Sequence, residues 1–317
     1  MEIVFIDRIE DIKNYGKLSV AHGFFDGLHK GHTELIKKAK DYAKANNLKT
    51  GVVTFDKKIS YLVNNRDSFL NSLMLSTFDR KIKLIAYLGV DIIFVINFSN
   101  FKNMDAKTYI DTVIKRIGTN NFVMGEDNFF GKNGGGNCEN IFNLVNGEFR
   151  IDVVKLIERN GIKISSSKIK DTLFNDNIEI TNELLGYYYQ VSGKVVLGKQ
   201  FGRSIDYPTA NIKVNKMIVL PKVGVYATII KIDNNFYKSM TNIGFNPTVD
   251  YREDLSVETF IFDFNKNIYN KDIELYFVCR IRDEVLFNSI DDLIKQLHDD
   301  ECKIRKCLES LDESKII

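Results

Sequence analysis

The chain has 317 residues, of which 44% are hydrophobic and 27% are charged, with a formal net charge of +2. This length and composition predict a globular protein of about two domains. The near-neutral charge gives no support for a nucleic-acid-binding surface. The longest apolar stretch, residues 84–98, contains Asp91 and Asn97 and is too short to span a bilayer, which argues against a membrane protein.

The four cysteines are spread over the sequence without a C-x-x-C pair: Cys138, Cys279, Cys302 and Cys307. This usage is typical of reduced thiols and indicates no metal site built from cysteine. The first residues are interrupted by Asp7 and Arg8 and lack the pattern of a secretory signal. We therefore expect a cytoplasmic protein.

Apolar runs and amphipathic segments alternate in the first half of the sequence. We predict strands at 18–21, 50–55, 91–97 and 121–124, and helices at 33–46, 77–88, 106–117, 168–174 and 178–185. Strands that are apolar throughout and alternate with helices indicate a parallel sheet covered on both faces. Ligands of such sheets bind beyond the carboxyl ends of the strands.

Near residue 186 the pattern changes to short runs rich in β-branched and aromatic residues, separated by turn signals. We predict strands at 191–197, 210–214, 224–232, 236–243, 257–264 and 273–278, and a closing helix at 289–313. Such a series is typical of an antiparallel sandwich or small barrel. The sequence therefore predicts two domains, residues 1–185 and 186–317.

The segment at 20–32, Val-Ala-His-Gly-Phe-Phe-Asp-Gly-Leu-His-Lys-Gly-His, joins the first predicted strand to an amphipathic helix. Glycine lets the backbone approach a ligand, and a helix N-terminus offers unpaired N–H groups and a positive dipole end. His29 and His32 add donors, which indicates a site for a phosphate chain under attack. Alternatively, one histidine caps the helix and the other lies on the surface.

Two further segments of the first half have the composition of ligand-binding loops. Ser165 and Ser166 precede Lys168 at a predicted helix start. Hydroxyls and positive charge there suit a phosphate, and they equally suit simple N-capping. Residues 125–132 follow a strand and lead into a glycine run, which suits either a loop over a flat ligand or a mobile surface loop.

In the second half, residues 202–211 read Gly-Arg-Ser-Ile-Asp-Tyr-Pro-Thr-Ala-Asn. Thr209 and Asn211 are two residues apart at the start of a predicted strand, so they share a face. A hydroxyl and an amide oxygen are hard ligands that suit magnesium with bound phosphates. The alternative is a turn that enters a strand.

The motifs of the first half resemble those of the nucleotidylyltransferase half of bacterial bifunctional riboflavin kinase/FMN adenylyltransferases. The family pattern G-x-F-D-G-x-H-x-G-H is intact at 23–32, and I-S-S-T-x-I-R is present at 164–170 with a terminal lysine. The T-F-x-P-H-P segment lacks its Pro-His-Pro after Thr54 and Phe55. In the G-x-D-F-x-F-G loop, Asn128 stands where the first phenylalanine belongs.

The second half resembles the riboflavin kinase domain over its whole length. Six motifs occur in the family's order: a glycine-rich run with Gly193, Gly198, Gly202 and Arg203, then Pro-Thr-Ala-Asn at 208–211, Leu-Pro-x-x-Gly-Val-Tyr at 220–226, Asn-Ile-Gly-x-x-Pro-Thr at 242–248, Val-Glu at 257–258 and Arg-x-Glu-x-x-Phe at 282–287. Phe260 replaces the family's histidine, and Asp206 replaces a glycine.

The resemblance implies a Rossmann-like nucleotidylyltransferase domain with a parallel sheet, followed by a small antiparallel β-barrel kinase domain with a C-terminal helix. It implies that ATP phosphorylates riboflavin to FMN, and that a second ATP adenylylates FMN to FAD and releases pyrophosphate. Mg²⁺ is the implied cofactor and ATP the co-substrate. No nucleic acid or membrane partner is implied, and the oligomeric state is left open.

The resemblance also assigns roles to individual residues. Glu258 is the expected base on the terminal ribityl hydroxyl of riboflavin, and His29 and His32 flank the α-phosphate in adenylyl transfer. Thr209 and Asn211 are the expected metal ligands. The expected contacts of ATP and its phosphates are Gly23, Phe25, Asp26, Gly31, Ser165, Ser166, Lys168, Gly193, Gly198, Gly202 and Arg203. The expected flavin contacts are Asp127, Asn128, Arg282, Glu284 and Phe287.

The departures from the family motifs leave two alternatives. The first is a monofunctional riboflavin kinase whose first domain has lost adenylylation, motivated by the missing Pro-His-Pro and the lysine at 170. The second, more remote, is a flavin-binding regulator without turnover.

Overall fold

The computed structural model describes residues 1–56, 72–159, 161–175, 177–198, 201–245 and 255–317. By their internal contacts these residues form two units, Met1–Ser166 and Ser167–Ile317. The contacts therefore group residues 167–185 with the second unit, while the domain division after residue 185 stays a prediction.

The first unit is built on a six-stranded sheet in which every neighbouring pair is parallel. Its strands are β1 (Glu2–Ile6), β2 (Leu18–His22), β3 (Lys49–Phe55), β4 (Ile92–Ile96), β5 (Thr119–Gly125) and β6 (Arg150–Val154). The order across the sheet is β1-β4-β3-β2-β5-β6. The predicted parallel sheet is confirmed, and the two edge strands β1 and β6 are additions. β1 is apolar from Ile3 to Ile6 but largely exposed, and β6 carries Arg150 and Asp152 among its apolar residues.

The strand order makes the carboxyl end of β2 a topological switch point. The chain continues from β2 to β3 on one side, whereas β5 pairs with β2 on the other. A crevice opens at such a point because the connections leave in opposite directions. The segments that follow β2 and β5 therefore emerge next to each other.

The helices of the first unit are α1 (Lys30–Ala45), α2 (Phe78–Tyr87), α3 (Phe98–Phe101), α4 (Ala106–Tyr109) and α5 (Ile141–Val145). The first helix begins three residues before the predicted position because the His29 side chain caps it. A π-helical turn, Ile110–Ile114, follows α4 where a single helix was predicted. A two-stranded ribbon, β7 (Glu158–Arg159) with β8 (Ile162–Lys163), precedes α6 (Ser166–Phe174).

The second unit is a closed antiparallel barrel. Its elements are α7 (Ile178–Leu185), β9 (Tyr189–Val196), β10 (Thr209–Val214), β11 (Gly224–Ile232), β12 (Asn235–Phe245), β13 (Leu255–Ile261), β14 (Asp272–Arg282) and α8 (Ile290–Cys307). The strand order around the barrel is β10-β13-β12-β11-β14-β9, and β9 pairs with β10 to close it. The predicted barrel with a C-terminal helix is confirmed. The helix ends at Cys307, and two short 3₁₀ turns occupy the rest of the predicted span.

The expectation of four reduced thiols is corrected by a disulfide between Cys279 and Cys307. Cys279 lies on β14 and Cys307 at the end of α8, 28 residues apart in sequence. The packing of α8 against the barrel brings them together, which spacing alone does not reveal. Cys138 and Cys302 are free thiols.

A buried carboxylate attaches α8 to the barrel. Asp300 is fully buried and accepts hydrogen bonds from Arg282 Nε on β14 and from Gln296 Nε2, both at 2.8 Å. A buried charge is tolerated only when it is paired and hydrogen-bonded. Arg282, predicted as a flavin contact, therefore has a structural partner. Within the described residues, no helix combines the length and apolar character needed to cross a membrane.

Asp300→Asn should lower the free energy of unfolding of the barrel by about 3 kcal/mol, because it leaves the half-buried Arg282 guanidinium without its countercharge. Asp299→Asn, which removes the exposed neighbouring carboxylate, is the matched control and should change stability by less than about 0.5 kcal/mol. Urea unfolding followed by circular dichroism measures both. Equal effects of the two substitutions would contradict this role of Asp300.

Candidate active sites

His29 and His32 lie together at the N-terminus of α1. His29 is the N-cap residue, and its Nδ1 accepts a hydrogen bond from the backbone N–H of His32 at 3.3 Å. The two imidazole rings stack with their centroids 3.6 Å apart. A Cβ at Gly31 would lie 3.1 Å from His29 Nδ1, so the glycine leaves room for this ring. Because Nδ1 accepts, the proton of neutral His29 lies on Nε2, which can donate to a ligand.

Burial keeps both imidazoles neutral. Desolvation lowers the pKa of His29 to about 4 and that of His32 well below its usual 6.5, where the neighbouring His29 and Lys81 add to the effect. The Nδ1 atom of His32 is buried and has no hydrogen-bond partner within the described part of the chain. An anion that approached these rings would favour their protonated form, so the pair is suited to stabilising negative charge.

Gly23 and Phe25 support the histidines. Phe25 is fully buried in a left-handed conformation (φ 58°), and its ring meets His32 edge-on with centroids 5.2 Å apart. A Cβ at Gly23 would lie 3.2 Å from the Phe25 ring. Both residues therefore shape the cradle, by which we mean residues 23–32, and their contact with ATP stays a prediction.

Asp26 connects three segments around the cradle. Its Oδ1 accepts hydrogen bonds from the backbone N–H groups of Leu75 at 2.9 Å and Ser76 at 3.4 Å. Its backbone carbonyl accepts one from Ser166 Oγ at 3.1 Å. The Ile-Ser-Ser element, with Ser165, is thereby held beside the cradle. Lys168 is exposed in the first turn of α6.

Lys81 on α2 is a residue of this site that the sequence motifs did not reveal. Its buried ammonium group donates to Phe55 O at 2.7 Å, to Thr54 Oγ1 at 3.2 Å and to Phe24 O at 3.3 Å. These acceptors lie at the end of β3 and at the start of the cradle, so one cation holds the two chain segments together. Desolvation lowers its pKa to about 8, opposed by Asp26 and Asp56.

A signal for Lys81 does exist in the sequence, because this lysine falls on the buried face of an amphipathic helix. A cation at an apolar position is rare unless it is paired. Residues 57–59, which stand where the family has Pro-His-Pro, lie outside the described residues.

The loop after β5, residues 125–131, meets the end of β2. The Asn128 amide nitrogen lies 2.8 Å from His22 O and 2.9 Å from His22 Nδ1. Asp127 is exposed, and a Cβ at Gly125 would lie 2.8 Å from its Oδ1. The loop thus presents Asp127 outward while Asn128 turns toward the sheet. Flavin contact by either residue stays a prediction.

In the barrel, Thr209, Asn211 and Glu258 lie on one face. Asn211 pairs with Glu258 across β10 and β13, and Thr209 is two residues away on the same side. Thr209 Oγ1 donates to Glu258 Oε2 at 3.3 Å. The register of β10 against β13 therefore brings the Glu258 carboxylate beside a hydroxyl and an amide from a distant part of the sequence.

Three other motifs contribute to the same face. A Cβ at Gly198 would collide with the Asn211 side chain, so this glycine permits close approach of the β9 end to β10. Asn242 pairs with Glu258 on the other side, and its Nδ2 donates to Glu284 Oε1 at 3.1 Å. Segments from five of the six kinase motifs thus converge on Glu258.

Other predicted residues of the barrel have structural contacts. Gly193 lies within β9, packed against Ile212 and the Lys213 carbonyl. The Gly202 carbonyl accepts the backbone N–H of Tyr207 at 2.8 Å, and Gly202 lies with the backbone of Arg203 in the 3₁₀ turn Phe201–Ile205. Their contact with phosphate stays a prediction.

Two departures from the kinase motifs have a place in the structure. Asp206 stands where the family has glycine and adopts a left-handed conformation with φ 60°, which aspartate tolerates better than most residues. Phe260, in place of the family's histidine, packs its ring 4.9 Å from that of Tyr207.

The last motif of the barrel brings two of its own residues together, since the Arg282 guanidinium lies 5.9 Å from the Phe287 ring. Pro247 and Thr248 of the Asn-Ile-Gly motif lie outside the described residues.

A cavity of about 460 Å³ adjoins Pro208 and Thr209. Thr259 and Ile261 of β13 line it together with the segment 264–269, which contributes both apolar and polar residues. Its volume suits a nucleotide-sized ligand. In the part of the chain that the structure describes, no three His, Cys, Asp or Glu side chains cluster to hold a metal. A metal at Thr209 and Asn211 would therefore complete its coordination with phosphates and water, as Mg²⁺ commonly does.

A parallel sheet with an anion cradle at its switch point, followed by a barrel that gathers a carboxylate, a hydroxyl and an amide, defines a two-domain nucleotide-dependent transferase. The FAD synthetase family model matches residues 11–168, and the riboflavin kinase family model matches residues 185–308.

Relatives extend this match over almost the entire chain. The bifunctional riboflavin kinase/FMN adenylyltransferase of Listeria monocytogenes is 34% identical over 93% of both chains, and that of Bacillus subtilis is 34% identical over 90% of both. The chain belongs to the bifunctional riboflavin kinase/FMN adenylyltransferase family. A crystal structure of a macrolide-efflux protein from Streptococcus pneumoniae is also similar, with TM-score 0.87 and 30% identity over 96% of this chain and 99% of that one.

Lys81→Met should lower the kcat/KM of FMN adenylylation at least tenfold, because the carbonyls of Phe24 and Phe55 lose their shared donor and the cradle loosens. Riboflavin phosphorylation by the same preparation should stay within twofold. Lys83→Met, on the exposed face of the same helix, is the matched control. Pyrophosphate release from FMN and ATP measures the effect, and equal behaviour of the two variants would rule out the proposed clamp.

The neutral histidines make the stability of the first unit depend on pH. The pKa is about 3 for His22 and about 4 for His29 in the folded chain, against about 6.5 when unfolded. Between these values the unfolded chain binds more protons, so stability is present above pH 6.5 and is lost as the pH falls. Each histidine contributes about 1.4 kcal/mol per pH unit.

Urea unfolding at pH 7.0, 6.0 and 5.5 measures this slope. His22→Leu should make it shallower by about one proton, whereas His298→Leu, which removes an exposed histidine of α8, serves as the control. A slope that His22→Leu leaves unchanged would show that this histidine is protonated in the folded chain.

Proposed function

We propose that this chain performs both reactions named for its relatives. The domain at 186–317 transfers the γ-phosphoryl group of ATP to riboflavin and yields FMN. The domain at 1–185 transfers the adenylyl group of a second ATP to FMN and yields FAD and pyrophosphate. The observation that carries the proposal is the convergence of Thr209, Asn211 and Glu258 on one barrel face, together with an intact cradle at His29 and His32.

Glu258 is the general base of the kinase reaction in this proposal. It takes the proton from the terminal ribityl hydroxyl, whose oxygen bonds to the γ-phosphorus while the bond to ADP breaks. Thr209 Oγ1 donates to the carboxylate and so orients it. We also propose that the flavin binds beside Arg282, Glu284 and Phe287. The Glu284 carboxylate accepts a hydrogen bond from Asn242, which pairs with Glu258 across the strands.

Thr209 and Asn211 would hold Mg²⁺, since their oxygens lie on one face beside Glu258 and suit a hard cation. When bound, the ion neutralises charge on the ATP phosphates. In this proposal the backbone N–H groups of Gly198 and Gly202 bind these phosphates. Gly193 and Arg203 belong to the same glycine-rich segment and would border the phosphates as well.

In the adenylyltransferase site, a phosphate oxygen of FMN attacks the α-phosphorus of ATP, and pyrophosphate leaves. The Nε2–H of His29 and an N–H of His32 donate to the oxygens on which charge develops. Ser165, Ser166 and Lys168 extend the cradle toward the leaving phosphates, and Asp127 and Asn128 border the flavin. Both reactions consume ATP, and we place the protein in the cytoplasm on that ground.

Both alternatives drawn from the sequence are disfavoured. The FAD synthetase model covers the first half, and the relatives named above carry both activities in their names. The cradle histidines and the kinase carboxylate are also placed together with the residues they would work with.

Glu258→Gln should abolish FMN formation from riboflavin and ATP, because an amide cannot accept the hydroxyl proton. FAD formation from supplied FMN should continue at the wild-type rate. Glu309→Gln, which neutralises an exposed carboxylate near the C-terminus, is the control. A product time course that resolves FMN from FAD, with Mg²⁺ present, measures both steps.

His32→Asn is the reciprocal variant and should block FAD formation while FMN accumulates. Loss of both products in either variant would contradict two independent sites. Absence of both products with the wild-type protein would refute the proposed function.

A further inference from the structure

A hydrogen-bonded pair, one buried residue and one half-buried, joins the end of β2 to the loop after β5. His22 is fully buried as the last residue of β2, immediately before the cradle. The amide nitrogen of Asn128 lies 2.8 Å from the His22 carbonyl and 2.9 Å from its Nδ1. One side chain therefore satisfies both the backbone and the ring of His22.

These contacts fix the orientation of both side chains. A backbone carbonyl only accepts, so the atom of Asn128 that faces it is the NH₂ group and its second hydrogen points to Nδ1. The neutral ring then carries its proton on Nε2, which donates to the Tyr109 hydroxyl at 3.1 Å. The hydrogen bonds therefore run in one direction, from the Asn128 amide to the His22 ring and from that ring to the Tyr109 hydroxyl.

Aromatic rings surround the fully buried imidazole of His22 and favour its neutral form. The rings of Phe55, Tyr109, Phe122 and Phe130 enclose His22 with centroids 5.4 to 5.7 Å away. Desolvation lowers the pKa of His22 to about 3, so the pair does not titrate at neutral pH. A buried donor or acceptor that lost its partner here would find no water to replace it.

The pair also decides which loop side chains point outward. Phe130 is buried, and its backbone exchanges two hydrogen bonds with Gly136 at 2.9 Å. Asn128 and Phe130 thus anchor the loop, while Asp127 and Phe129 between them are exposed. The family motif has phenylalanine at the position of Asn128, so the first of these two anchors is polar in this chain.

We propose that His22 and Asn128 form a positioning latch that holds the β5 loop on the sheet and thereby sets the affinity of the adenylyltransferase site for FMN. The latch acts through Asp127 and Phe129, whose positions it fixes beside the cradle. The inference rests on the proposed assignment of this loop to the flavin.

Asn128→Asp tests the latch by replacing its donor with a carboxylate. At pH 8 the carboxylate has no hydrogen to give the His22 carbonyl, so the KM for FMN should rise about tenfold with little change in kcat. As the pH falls to 6, a proton taken up by the carboxyl beside this carbonyl restores a donor, and the KM should return toward the wild-type value. Asn133→Asp adds the same charge at an exposed position of the following turn and should stay within twofold.

A double substitution tests the partnership directly. His22→Leu and Asn128→Phe should each raise the KM for FMN, because each substitution leaves a polar group of the partner residue without a hydrogen bond. The double variant should have a lower KM for FMN than the worse single variant, because the unmet ring acceptor disappears with the ring. Recovery should be partial, since the backbone carbonyl of residue 22 and the Tyr109 hydroxyl still lack these partners. Riboflavin kinase activity of each preparation reports whether the remaining domain is intact.

Hydrogen exchange of the amides at 128–131, without ligand, measures the latch independently of turnover. Exchange should accelerate in Asn128→Asp at pH 8 and remain unchanged in Asn133→Asp. The proposal is overturned if the loop exchanges equally in both variants, if kcat falls while the KM for FMN is constant, or if the double variant is no better than the worse single one. Failure of the proposed function would appear separately, as a wild-type protein that releases no pyrophosphate.

Discussion

The parallel pairing of β2 with both β3 and β5 is the constraint on which the first unit depends. It places three strand ends side by side, and the cradle and the β5 loop directly follow two of them. Burial at this edge then dictates the chemistry. Lys81 must find carbonyl acceptors, and it joins the end of β3 to the cradle. His22, His29 and His32 stay neutral because desolvation outweighs protonation.

The same edge shows how a polar side chain can hold a loop against a sheet. The half-buried amide of Asn128 meets the carbonyl and the ring of His22, so one residue satisfies two acceptors. Aromatic rings surround the buried imidazole on its other sides.

In the second unit, strand register has the corresponding role. Antiparallel pairing of β13 with β10 on one side and β12 on the other sets Asn211 and Asn242 opposite Glu258. The barrel closes without free edges, so this register is fixed on both sides. A separate buried pair, Arg282 with Asp300, attaches α8 to the strand that leads into the last motif.

The sequence by itself determined the two architectures and the family, because apolar periodicity and ordered motifs are local properties of the chain. It determined the extent of β11 and α7 to the residue, and it missed β1 and β6, whose edge positions leave them half-exposed. It could not give the partners of buried polar groups. The clamp at Lys81, the pair of His22 with Asn128, and the link between Cys279 and Cys307 join segments that are distant along the chain. Only the tertiary structure decided them, because a buried charge, amide or thiol takes its partner from whatever the packing of separate elements brings within reach.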